Sequence, residues 1–305
     1  MDGKTKRLVS VIIVNFNGGE LITDCVEALL ACTTEVEVIV FDNNSQDDSI
    51  PRLRAHFLSC PQLTIIEGNE NIGFSGGANH AYSRSEGEYV LFLNPDCIVN
   101  PDTLERMADV MDKDLKTGMA GCLIRNKDGS EQSGGRRRFP TPLATLVHVL
   151  NLQNFFKENA RLSSLSLAKS PIPDSPVEVE AISGAFMFVR RNAIAQIGPL
   201  DEGYFLHCED LDWCMRFSRQ GYKILFVPDV EALHYKGHCS RGHEVSAEWH
   251  KHRGMLRFYR KFYSTRYPIP LMWAVYIAVI TRFGIKVFTI TGNRLQSGFY
   301  SRKAP

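Results

Sequence analysis

The sequence predicts an α/β fold, a mostly parallel sheet flanked by helices, on three observations. Continuous apolar runs recur in the first 125 residues, as "LVSVIIVNFN", "VEVIVFDNNS", "LTIIEG" and "YVLFLN". Such runs are what strands covered on both faces look like. Helix-patterned segments separate them, as the crossovers of a parallel sheet require. Three of the runs end in polar tips, at Asn15 to Asn17, Asp42 to Asn44 and Asn94 to Asp96. In open α/β sheets ligands bind beyond the carboxyl ends of the strands, so these tips are expected to converge on one crevice.

The elements follow in order. After the first strand, "GELITDCVEALLAC" places apolar residues at helical spacing. After the third strand, the Gly-rich turn "NENIGFSGGANHAYSRS" opens into a helix. Residues 100 to 125 give a helix and the strand "GMAGCLIR". Residues 126 to 178 read as irregular loop, with breaks at "DGSEQSGGRRRFPTP" and "SPIPDSP". Regularity returns with "VEAISGAFMFVRRNAIAQIG", a strand and a short helix. Next come "EDLDWCMRFSRQGY", an amphipathic helix stopped by Gly221, and the strand-like "KILFVPDVEALHY".

Bulk properties set limits. A chain of 305 residues supports one large domain or two small ones. A formal net charge of +1 gives no basis for a nucleic-acid surface. "MDGKTKR" runs directly into the first strand, so no signal peptide is expected. The eight cysteines form no regular framework and are expected to be reduced thiols in the cytoplasm.

The C-terminal part differs. "PIPLMWAVYIAVITRFGIKVFTITG" carries thirteen largely apolar residues, 269 to 281, before Arg282 and then Lys286. A spanning helix needs about 20 apolar residues, and central charges are costly. The segment therefore reads as a peripheral membrane helix, with Trp273 and Tyr276 at headgroup depth, ahead of a packed helix or a true span.

Asp96 ends a strand beside a crevice already rich in Asn and Asp. A carboxylate there can bind a divalent cation, and such a cation can hold a diphosphate. The competing role, capping the next helix, is better suited to Asn100 before Pro101, or to Asp102.

In order and spacing, "VSVIIVNFN", "VEVIVFDNNSQDDS", "NENIGFSGGAN", "YVLFLNPD" and "EDLDWCMRFSRQGYKILFVPDVEALH" resemble the motif set of family 2 glycosyltransferases with the GT-A fold. The branch they are most similar to is the rhamnosyltransferase-like one, which builds bacterial surface polysaccharides. Each motif is weak alone; the ordered set, from about residue 8 to residue 240, is specific.

The resemblance implies residue roles. Asp42 matches the carboxylate that accepts the imide N–H of uracil or thymine, and Phe16 an aromatic against the base. Asn15 and Asn17 flank it on the first tip. Asn71 and the turn from Gly73 to Asn79 match the segment that runs beside the nucleotide, where glycine permits close approach. Asn94-Pro95-Asp96 matches the family's DXD element, with Asn94 in place of its first carboxylate. Asp96 keeps the metal-ligand position, and Asn94 retains a hydrogen-bonding side chain for a ribose hydroxyl. His234 matches a histidine that completes the metal site. Asp210 matches the general base that takes the acceptor's proton in an inverting transfer, with Glu209 the alternative. Carboxylates at 209, 210 and 212 are expected to raise one another's pKa.

Two further features stay open. His234, His238, Cys239 and His243, with Cys208 and Cys214, would be a zinc set, although the spacing fits no common structural zinc site. Arg136 to Arg138 is either a solvated loop or a contact for phosphate on an acceptor.

The expectation is an inverting glycosyltransferase using Mn²⁺ or Mg²⁺ and a dTDP- or UDP-sugar, with dTDP-L-rhamnose foremost. Its acceptor would be a lipid-linked saccharide or oligosaccharide, and the protein would be cytoplasmic and peripheral at the inner face of the cell membrane. Residues 1–265 would form the GT-A domain, with a nucleotide half to about 125 and an acceptor half beyond. Residues 266–305 would form an apolar and basic helical extension. The alternatives are a nucleotidyltransferase, for which "NFNGGELI" offers no basic phosphate-activating loop, and a silent nucleotide-sugar-binding module.

Overall fold

The computed structural model describes residues 7–235 and 244–301, with side chains to 292. The elements are β1 (Leu8–Asn15), α1 (Leu21–Leu30), β2 (Glu35–Asp42), α2 (Ser49–His56), β3 (Leu63–Glu67), α3 (Gly73–Tyr82), β4 (Tyr89–Leu93), β5 (Cys97–Val99), α4 (Thr103–Asp112) and β6 (Thr117–Arg125). They continue with β7 (Arg136–Arg137), α5 (Pro142–Val149), α6 (Ala160–Ser163), β8 (Val177–Glu178), β9 (Ala181–Ile182), β10 (Phe186–Arg190), α7 (Arg191–Ile197), α8 (Glu209–Arg219), β11 (Lys223–His234), α9 (Glu244–Phe262) and α10 (Ile269–Ser301).

The chain divides into two compact units. The first comprises residues 1–139, 166–205 and 209–239. Its sheet runs β3-β2-β1-β4-β10-β6-β11-β5, with β8 also on β11. The run β3-β2-β1-β4 is parallel throughout, and β6 with β11 is parallel too. β10 is antiparallel to both its neighbours. Alternation along β1 explains the two covered faces. Val9, Val11 and Ile13 join Ile22, Cys25, Val26 and Leu29 of α1 in one core. On β4, Phe92 meets Trp213 of α8 edge-on at 5.1 Å between ring centroids. Gly221, at φ 80°, stops α8, and the N–H of Tyr222 returns to the carbonyl of Phe217.

Two local devices set the site. The parallel register pairs Asn15 with Asp42 and Ile13 with Leu93, which aligns the three polar tips at one edge. Pro228 interrupts β11, and between Val227 and Glu231 the pairing with β6 shifts, so residues 228–230 are looped out. Beyond this bulge β11 pairs antiparallel with β5, and that register sets His234 opposite Cys97.

Some sequence expectations need correction. The stretch 126–178 is not merely loop. It holds β7, α6 and α5, whose Thr141 accepts the N–H of Ala144 ahead of Pro142 at the helix start. Neither Asn100 nor Asp102 caps α4 through its side chain: Asp102 makes no cap hydrogen bond, and Asn100 donates its backbone N–H to Thr103 Oγ1 at 3.1 Å.

The second unit comprises residues 140–165, 206–208 and 240–305. α5, α9 and α10 pack together there, with Tyr259 hydrogen-bonded to Thr145. Along α10 Met272, Val275, Ala278 and Val279 are buried, while Trp273, Ile277, Ile280, Ile285 and Phe288 are exposed. Residues Ile269–Gly292 are long and apolar enough to cross a membrane.

Candidate active site

The first tip is a hydrogen-bonded cradle. Asn15 is fully buried, and its Nδ2 donates to Asp42 Oδ1 at 2.8 Å, Ser45 Oγ at 3.0 Å and Ser49 Oγ at 2.9 Å. Asp42 Oδ2 accepts the Ser45 N–H at 3.0 Å and retains capacity for a second donor. Asn15 thus aims Asp42 rather than facing the crevice. Asn17, at φ 54°, accepts the Gln46 N–H, and Phe16 is half-exposed rather than part of the core.

The glycine turn packs closely against the segment before α8. Asn71 Oδ1 accepts the Gly73 N–H at 2.9 Å. Gly73 has φ +80°, and a Cβ there would lie 2.5 Å from the carbonyl oxygen of Phe205. Its close neighbour is therefore protein backbone. Asn79 bonds Leu200 through both its Nδ2 and its Oδ1 and also donates to Glu202, so it ties α3 to the loop after α7.

β4 and β11 meet at the third tip. Asp96 lies in the turn between β4 and β5, and its carbonyl accepts the Tyr235 N–H at 2.9 Å. The side chains follow: His234 Nε2 lies 3.1 Å from Asp96 Oδ1 and 3.3 Å from Asn94 Nδ2. Asp96 and His234 are both buried. His234 Nδ1 lies 2.7 Å from Oε1 of buried Gln132, which can only accept. Nδ1 therefore donates its N–H to Gln132, and Nε2 is the ring nitrogen directed at Asp96. Nε2 is thus the atom through which His234 would ligate a cation shared with Asp96. Cys97 completes the only cluster of potential metal ligands among the described residues. Burial and then Asp96 push its thiol well above the ordinary range, so it stays protonated. The remaining oxygen and nitrogen donors fit Mn²⁺ or Mg²⁺. His238, Cys239 and His243 of the zinc alternative lie outside the described residues.

The carboxylates at the start of α8 have separate surroundings. Asp210 pairs with Arg137 and accepts the Gly184 N–H at 2.9 Å. A Cβ at Gly184 would stand 3.3 Å from Asp210 Oδ2. Glu209 is buried with an Oε2 that lacks a hydrogen-bond partner among the described residues. Burial first, then the charge of Asp210, push its carboxyl up to about 8. Buried Asp212 serves the fold through Arg216 at 2.8 Å.

Sequence reasoning passes over Gln132 and misreads Arg137. Arg136 is buried against Glu131 at 2.8 Å, not solvated and not available to phosphate, while β7 pairs with β9 and delivers Arg137 to Asp210. The available signal was Arg-Arg-Arg ahead of a helix start, in a stretch without periodicity.

Comparison with known proteins gives the family and the fold. The family description "Glycosyl transferase family 2" matches residues 10–173. The N-acetylglucosaminyl-diphospho-decaprenol L-rhamnosyltransferase of Mycobacterium tuberculosis is 26% identical over 280 residues, covering 88% of this chain and 89% of that protein. Rhamnosyltransferase WbbL of Escherichia coli is 28% identical over 257 residues, 80% of this chain and 89% of that protein. A mannosyltransferase from Pyrobaculum calidifontis, solved with GDP-Man and Mn²⁺, superposes with a TM-score of 0.59 at 17% identity, covering 96% of this chain and 81% of that one.

Proposed function

This chain belongs to glycosyl transferase family 2 and is a glycosyltransferase, and from that premise we propose an inverting rhamnosyltransferase that extends a lipid-linked saccharide in polysaccharide synthesis. The observation that carries the reading is the Asp96–His234 pair, set by the β5–β11 ladder at the edge where the polar tips align. The similarity to two rhamnosyltransferases, one named for a diphospho-decaprenol substrate, supports the sugar and the acceptor class.

In this reading Asp42 accepts the imide N–H of thymine or uracil, and Phe16 packs on the base. Asp96 and His234 hold a divalent cation, which when bound neutralises charge on the diphosphate leaving group. Asn94 contacts the ribose. Asp210, fixed by Arg137 and Gly184, takes the proton of the acceptor hydroxyl. Glu209, its carboxyl pushed up to about 8 by burial and the charge of Asp210, is the alternative base. Residues 1–139 with 166–205 and 209–239 carry the donor chemistry. Transfer of radiolabelled rhamnose from dTDP-rhamnose to a bacterial lipid extract tests the function. Rapid transfer from another nucleotide sugar, with none from dTDP-rhamnose, would refute the donor assignment.

Gln132 acts through His234. Gln132→Leu removes the acceptor that fixes the Nδ1–H tautomer, and is expected to weaken Mn²⁺ binding in the presence of dTDP about 10–100-fold. Mn²⁺ titration followed by electron paramagnetic resonance reads this directly, and Gln132→Glu, which keeps an acceptor, should restore most of the affinity.

The protein is also proposed to sit on the membrane through α10. Ile277 and Ile280 are 61% and 59% exposed on a helix whose opposite side is packed. Ile277→Glu with Ile280→Glu is expected to abolish sedimentation with anionic liposomes at low salt and to leave the thermal transition nearly unchanged. Unaltered sedimentation of the double variant would remove α10 from the contact.

A further inference from the structure

The second unit contains a cavity of about 370 Å³ lined from α5, α9 and α10, within the roughly 300–1,000 Å³ of small-molecule sites. Val149, Met255 and Val279 give it an apolar wall, and Lys251 and Arg282 bring cations to it. Among the described residues no carboxylate lines it. Lys251 has Glu248 beside it at 3.3 Å, half-exposed, whereas Arg282 has no carboxylate partner among the described residues. Arg282 is exposed at the cavity mouth, where its guanidinium is open to an anion. His148, also in the lining, leaves Nε2 buried without a hydrogen-bond partner among the described residues. Burial and then the charge of Arg282 lower its pKa, so it stays a neutral ring that offers one N–H.

These features suit a ligand that is both anionic and apolar. A free phosphate would leave the apolar wall wet, and a plain alcohol would leave Arg282 without a counter-charge. The volume is small for a two-chain phospholipid. On its other side α10 carries the exposed apolar residues Trp273, Ile277 and Phe288, so one helix would serve both a bilayer and the cavity. We propose that this cavity binds the phosphate-bearing end of a single-chain lipid. Arg282 and Lys251 meet the phosphate, His148 donates to it, and the first part of the chain lies against Val149, Met255 and Val279. The inference deepens the proposed function, and rests on it only in regarding that lipid as the acceptor.

Calorimetry on the full chain with farnesyl phosphate tests the proposal, with farnesol, inorganic phosphate and phosphatidylglycerol vesicles as comparisons. Farnesyl phosphate should bind, with farnesol and inorganic phosphate at least tenfold weaker. Arg282→Gln should weaken it at least tenfold and Lys251→Gln severalfold, while dTDP binds both variants as it binds the wild type. Equal binding of farnesol, or wild-type affinity in Arg282→Gln, overturns the phosphate role. Displacement by phosphatidylglycerol vesicles at equal lipid concentration overturns the single-chain assignment. Because binding is read without transfer, loss of rhamnose transfer beside intact farnesyl phosphate binding would count against the donor reading and not against this site.

Discussion

Asp210→Asn is expected to bind the nucleotide donor as the wild type does and to transfer sugar at least about a hundredfold more slowly. The amide keeps the size of the side chain and can still accept the Gly184 N–H, but it cannot take a proton. Loss in kcat with nearly constant donor affinity separates this from a binding defect. Arg137 loses its counter-charge in that variant; Arg137→Gln, which breaks the same pair but leaves the carboxylate in place, is the control and should be impaired far less. Glu209→Gln supplies the counter-test, and its sign can be worked out. The folded carboxyl titrates near 8 and its ordinary value is 4.5, so between these pH values the unfolded chain releases a proton that the folded chain retains. Stability is therefore lost as pH rises through that window, and the glutamine removes the loss. Glu209→Gln should be more stable than wild type at pH 7, by about 1–3 kcal/mol, with no difference at pH 4. If its transfer rate instead collapses, and the wild-type rate climbs with pH through 8, Glu209 is the base.

Asp96→Ala should abolish the metal-linked part of donor binding. Asp96 and His234 are paired oxygen and nitrogen donors at the strand tips, 3.1 Å apart, and Asn94 two residues before Asp96 adds no charge. With one carboxylate instead of two, the site depends on Asp96 more heavily than a site with a second acidic ligand would. Titration of dTDP with and without Mn²⁺ should show a clear metal effect in the wild type and none in the variant. A retained metal effect would place the cation elsewhere.

How much of this was legible follows from what each signal encodes. Continuous apolar runs report burial on both faces, so the strands of the parallel core could be read directly, and so could the alignment of their polar ends. The same burial says nothing about direction, which is why antiparallel β10 looks like its parallel neighbours. β5 has three residues, too few for a period, and hides between Asp96 and the turn before α4. Asp96 and His234 were readable as candidates because a resemblance supplied the pairing; their meeting depends on the looped-out residues 228–230, which no pattern announces. Gln132 and Arg137 sit in an aperiodic stretch, where composition suggests solvent and cannot report an ion partner. The apolar character of α10 was plain, but which side packs depends on α5 and α9.

The bulge at Pro228 and the short strand β5 have a kinetic consequence. β5 closes one edge of the sheet with three residues, and among the described residues the Tyr235 N–H to Asp96 carbonyl bond is the last link there. Such edges open locally far more often than the centre of a sheet does. A cation shared by Asp96 and His234 would fasten the two chain segments through their side chains, so each opening would have to release it. The amides of Cys97 to Val99 and of His234 and Tyr235 should therefore exchange with deuterium more slowly when Mn²⁺ and dTDP are present. Amides in the middle of β1 and β2, strands paired on both sides, should change least. The donor site would then act as a latch on the margin of the fold, with its arrival written in the lifetime of a few backbone protons.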